Sequence, residues 1–171
     1  MKSLHLGLIT GILILFSSCS SINVTTDYDT KTDFSQYKTF AFYRPGIDKV
    51  SISDLDKKRI LRAISYELEN KGMHKSENPD VLISIFTKAR QKVNIYESPW
   101  YPSYYYPYHR QHVSKYTEGT LFIDIIDKEG KKLIWQGIGK GFLTKSSKPE
   151  KREAIIQKFV QEILDEYPPD K

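Results

Sequence analysis

The chain has a single cysteine, Cys19, among its 171 residues. No intrachain disulfide is open to it, so its stability must come from a packed core. It also lacks any run of five or more like charges: the formal net charge of +5 is spread over Lys and Arg scattered among Asp and Glu. A basic stripe for nucleic acid is therefore not indicated. Long hydrophobic runs are missing as well. The longest, Leu4 to Phe16, covers thirteen residues, whereas a membrane-spanning helix needs roughly 20. There is no Gly-x-Ser-x-Gly elbow, no Gly-rich phosphate loop leading into a helix, and no His, Cys or acidic set at diagnostic metal-ligand spacing. Gly137-Ile138-Gly139-Lys140-Gly141 imitates a phosphate loop but runs on into the strand-like Phe142-Leu143-Thr144, so backbone packing explains it better. No catalytic residue, metal or cofactor is expected. Hydrophobic residues at 39% and charged residues at 27% suit one globular domain.

What is present begins at the N-terminus. Lys2, the apolar run and a small-residue boundary have the layout of a secretory leader. The run ends in Leu15-Phe16-Ser17-Ser18-Cys19, which resembles the lipobox of bacterial lipoproteins. The resemblance implies cleavage between Ser18 and Cys19 and a diacylglyceryl cysteine, acylated also at its amine, for example with palmitate. Two or three acyl chains anchor stably where one does not. Expected segments are therefore a signal peptide at 1–18, a lipidated tether at 19–25 and a single domain at 26–171. Ser20, in place of the Asp that retains other lipoproteins in the inner membrane, points to the outer membrane facing the periplasm.

Along the domain, Val24, Thr26 and Tyr28 alternate as in a strand, and Tyr37 to Tyr43 forms a second one broken by Arg44-Pro45-Gly46. Ser53-Asp54-Leu55-Asp56 has the form of a capping box. It opens a helix with Ile60, Leu61, Ile64 and Leu68 on one side, stopped by Lys71-Gly72. After the turn Asn78-Pro79-Asp80, the run Val81 to Phe86 reads as a buried strand. From about Tyr96 to Tyr116 there are seven tyrosines, Trp100 and three prolines, which reads as a long aromatic loop. Thr120 to Asp127 and Leu133 to Gly137 form a hairpin around Lys128-Glu129-Gly130-Lys131. A last helix, capped by Ser147-Lys148-Pro149-Glu150, carries Ile156, Phe159, Val160, Ile163, Leu164 and Tyr167 as one stripe. The fold class is α+β: a two-layer sandwich with a mainly antiparallel sheet of about five strands. Two helices cover one face, in the order β-β-α-β-β-β-α, the first being the crossover.

Four segments then carry a family resemblance. Asp33 to Phe42, Asn78 to Leu82, Glu118 to Asp124 and Lys132 to Gly137 occur in the order seen in lipoproteins of the domain-of-unknown-function 4136 family (DUF4136). The likeness runs from about residue 22 to the end. It implies an envelope lipoprotein and brings no reaction, ligand or catalytic residue with it.

The candidate binding residues are Trp100, Tyr101, Tyr104, Tyr105, Tyr106 and Tyr108, whose rings suit sugars, prolines or a membrane interface. A non-enzymatic binding or structural module is expected, tied to the membrane by its lipid and meeting another envelope protein or cell-wall glycan. One alternative is an envelope glycan or peptide hydrolase using Asp124, His109 and His112; another is a carrier of an apolar ligand in a groove between helices and sheet. Asp124 and Asp127 fall on opposite faces of one strand, which argues against a paired-carboxylate site.

Overall fold

The computed structural model describes residues 22–96, 112–142 and 148–169, with backbone alone at 91–96, 112–117 and 142. The expected leader, Cys19, the six aromatic candidates and His109 lie outside the described residues. In chain order the elements are β1 (Asn23–Tyr28), a 3-10 turn (Phe34–Gln36), β2 (Thr39–Phe42), α1 (Arg44–Ile47) and α2 (Asp54–Asn70). They continue with β3 (His74–Lys75), β4 (Val81–Tyr96), β5 (His112–Asp127), β6 (Lys132–Phe142) and α3 (Pro149–Leu164).

The strands make one sheet in the order β1-β6-β5-β4-β2-β3. Neighbours from β1 to β4 are antiparallel, whereas β2 runs parallel to both β4 and β3. A parallel pair needs a crossover, and α2 supplies it. The α+β sandwich with helices on one face is therefore the architecture, with the two-residue β3 as a sixth strand.

Alternation sorts the sheet into two faces. Phe40, Val81, Ile83, Ile85, Ile123, Ile125 and Trp135 point to the helix side and are all at most 2% exposed. Ile60, Ile64 and Leu68 of α2 and Phe159, Val160, Ile163 and Leu164 of α3 meet them from above. A bulge interrupts β6, where Ile125 pairs with Trp135 but Ile126 pairs with Leu133. The extra residue puts two consecutive side chains on the same side. Ile134 and Trp135 are accordingly both buried, while Leu133 is 51% exposed. The glycines of β6 give α3 its seat. A Cβ at Gly139 would stand 2.6 Å from Ile163, and one at Gly141 would stand 2.8 Å from Phe159. At the end of α2, Gly72 takes φ +85, the left-handed turn that stops a helix.

Four local expectations change. The β4–β5 ladder continues from Val81↔Asp127 to Tyr96↔His112, so the flanks of the expected 96–116 loop are strand. Backbone pairing does not require an aliphatic core, and the alternating Val93 and Ile95 already favour extension. Arg44-Pro45-Gly46 forms the one-turn α1, with proline in the first turn where its missing N–H costs nothing. The N-cap of α3 is Lys148, without a side-chain cap, and Ser147 lies outside the described residues. Finally, β1 opens at Asn23, so the folded domain starts ahead of the expected residue 26.

Candidate functional site

The core fills the space between sheet and helices only along part of the strands. Toward the β1 N-terminus the helix-facing row of β4 and β5 passes from Ile83, Ile85, Ile123 and Ile125 to Leu121, Thr87, Ala89 and Gly119. Thr87, Ala89 and Gly119 are smaller than the isoleucines that precede them in the row, and tight packing gives way to a cleft of about 380 Å³. That volume lies in the range of small-ligand sites. Thr87, Ala89, Gly119 and Leu121 form its floor, Ile52 and Ile60 one wall, and Ile155, Ile156 and Phe159 the other. Ala89 is exposed and Ile52, Ile155 and Ile156 are half-buried, so the cleft is accessible.

Its polar rim is an ion cluster between the first turns of the two long helices. Ser53 caps α2, its Oγ accepting from the Asp56 amide at 3.2 Å. The Asp56 carboxylate, 10% exposed, accepts from Arg152 Nε at 2.6 Å and from Arg152 Nη2, and from Arg59 Nη1 at 3.0 Å. The Arg152 hydrogen bonds are the main cause that holds the Asp56 carboxyl down at about 2. The same bonds raise Arg152. One signal in the sequence could have found this contact, the anomaly of two cations, Lys151 and Arg152, in the first turn of α3, where the helix dipole disfavours them. Asp56 in α2 resolves the anomaly across the helix pair.

At the opposite end of the sheet the chain is closed by a polar knot. Asp80 Oδ2 accepts from the amides of Lys38 at 2.9 Å and Thr39 at 2.8 Å, and its own amide donates to Thr39 Oγ1 at 2.9 Å. The Lys38 amide is the first cause that lowers the Asp80 carboxyl. Lys128 donates to Asn78 Oδ1, and Asp127 Oδ2 accepts from the Gly130 amide at 2.6 Å in the β5–β6 turn. Beneath this knot Tyr167 stacks edge-on against Phe34 and Trp135, and burial pushes its hydroxyl up to about 12. Asp33, which caps the 3-10 turn by accepting from the Ser35 amide at 3.1 Å, and Phe34, Asn78, Asp80 and Trp135, all within the four segments that carry the family resemblance, thus hold the fold together.

Asp124 sits on the sheet face opposite the helices, between Ser84 and Gln136 in register. It accepts from Gln136 Nε2 at 2.7 Å, and burial raises its carboxyl. Asp127 is engaged in its turn, so the two carboxylates are not brought together. His112 opens β5 and His74 is an exposed residue of β3. No group of three or more His, Cys, Asp or Glu that could hold a metal occurs among the described residues. No helix among them is long and apolar enough to cross a membrane. From the sequence the cleft is expected only as a groove between helices and sheet, without its lining residues.

The sequence matches the family model of a domain of unknown function, DUF4136, over residues 24–169. No curated protein matches the chain by sequence. Among solved structures, a PDZ domain protein from Parabacteroides distasonis shares the fold with a TM-score of 0.54 at 18% identity. The match covers 88% of this chain and 37% of that one, so this chain spans little more than a third of that protein's length. The PelC dodecamer from Paraburkholderia phytofirmans gives 0.49 at 10% identity, over 84% of this chain and 94% of that one. A minor lipoprotein from Acinetobacter baumannii gives 0.38 at 7% identity, over 76% and 88% respectively. The first of these likenesses is one of fold alone.

Proposed function

Given that the chain belongs to the DUF4136 family, we propose that it is a lipid-anchored cell-envelope protein. Its folded domain is a binding module, not an enzyme, and takes an apolar group into the cleft between α2, α3 and the β4–β5 ribbon. The lipobox-like Leu15 to Cys19 supports an anchor at Cys19 after cleavage behind Ser18, and Ser20 favours the periplasmic side of the outer membrane. The observation that carries the binding role is the cleft. It is an accessible space of about 380 Å³ with apolar walls, and its rim charge is already satisfied by the Asp56–Arg152 pair. Each methylene taken up contributes about 0.8 kcal/mol, so a chain of several offsets the cost of immobilising a ligand.

The test is titration of the water-soluble Cys19→Ser chain, without residues 1–18, with a fluorescent fatty acid. One saturable site is expected. Ala89→Trp, which fills the floor from an exposed position, should weaken it about tenfold while the melting temperature stays put. Non-saturating uptake, or equal affinity in the variant, would remove the cleft from the proposal.

The aromatic segment favours a second reading, in which a protein or cell-wall glycan partner is met by Trp100, Tyr101, Tyr104, Tyr105, Tyr106 and Tyr108. This segment joins the far ends of β4 and β5, beyond the cleft. Deleting residues 97–111 should then abolish crosslinking to envelope partners. Unchanged crosslinks would exclude this reading.

A further inference from the structure

The sheet register links the anchor to the cleft. Asn23 pairs with Lys140, so Ile22 stands level with Gly141; Gly141 pairs with Gly119, and Gly119 pairs with Ala89. Gly119 and Ala89 are the floor of the cleft. Ile22 and the cleft therefore occupy one row across four strands, about 14 Å from end to end at the usual inter-strand spacing. The packing agrees: a Cβ at Gly141 would meet Phe159 at 2.8 Å and Ile22 at 3.4 Å, and the same Phe159 forms a wall of the cleft. Cys19 precedes Ile22 by three residues, a reach of at most about 10 Å.

A lipid held at Cys19 thus fixes this end of the domain against the bilayer, with the cleft at the interface. The charges suit that surface. Lys88, Arg90 and Lys140 are exposed on the strands of this end and Lys151 is exposed in the first turn of α3, set against Glu118, Glu150 and the exposed Asp54 in the first turn of α2. Such cations are attracted to an anionic leaflet. We infer that the occupant of the cleft is an acyl chain of an anionic phospholipid drawn from the leaflet in which the protein is anchored. The inference rests on the proposed anchor and the proposed apolar site.

The experiment places the acylated mature chain on phosphatidylcholine vesicles containing phosphatidylglycerol with a photoreactive acyl chain, and maps crosslinks by peptide mass spectrometry. Crosslinks are expected on Ile52, Thr87, Leu121 and Ile156, falling about tenfold in Ala89→Trp. Crosslinks confined to residues ahead of Asn23 would overturn the inference. So would cleft crosslinks that arise only when the photoreactive chain is carried by Cys19 itself, because the occupant would then be the protein's own lipid. Fatty-acid binding in solution without vesicle crosslinks would sink the leaflet source and leave the binding role standing; failure of both would remove both.

Discussion

The two ends of the sheet are built on opposite terms. At one end Asp80, Asn78, Lys128 and Thr39 tie distant segments by hydrogen bonds, above the packed rings of Phe34, Trp135 and Tyr167. At the other, Thr87, Ala89 and Gly119 leave the helices unsupported, and the Asp56–Arg152 pair bridges the helices over a cleft. The first end is filled and closed; the second is held open. Removing side chains should therefore harm the closed end most, while adding bulk should be tolerated only at the open one.

The largest effect is expected from Trp135→Ala, which empties a fully buried site. A loss of about 3–5 kcal/mol in denaturant unfolding follows from the lost burial and the cavity. Asp80→Ala strands the amides of Lys38 and Thr39 and should lower stability by about 2 kcal/mol, measured the same way.

At the cleft end Asp56 gives a pH signature. Its folded-state value of about 2 lies below the ordinary 3.8, so its contribution is complete above 3.8 and is lost as pH falls from there through 2. Arg152 is 44% exposed, and solvent screening limits the effect to about 1 kcal/mol. The midpoint of unfolding of Asp56→Asn should accordingly be less acid-sensitive than that of the parent across that window. Ala89→Trp should be the smallest, within about 0.5 kcal/mol. A large loss from it would mean that the cleft is ordinary core.

Much of the closed end could be read from the sequence, because local signals suffice there. The turn at Asn78-Pro79-Asp80, the apolar strands and the Ile163, Leu164 and Tyr167 part of the last apolar stripe each announce themselves by spacing or residue type. That Asp80 closes the knot could not be read, since its partners Lys38 and Thr39 lie 42 and 41 residues away and donate through backbone. The cleft was legible only as a groove of unnamed lining. It arises from what Thr87, Ala89 and Gly119 lack, and only the register shows that they stand together beneath both helices. The extension of β4 and β5 is signalled in the sequence only by the alternation of Val93 and Ile95, beside an aromatic, proline-rich stretch that reads as loop, whereas the ladder is held by backbone.

The most direct measurement is methyl NMR of the water-soluble Cys19→Ser chain titrated with a fatty acid. Saturable shifts are predicted at Ile52, Ile60, Leu121, Ile155 and Ile156 around the cleft, with Ile125 and Ile134 of the closed core unmoved. Shifts at the closed end, or none that saturate, would contradict a ligand-binding cleft.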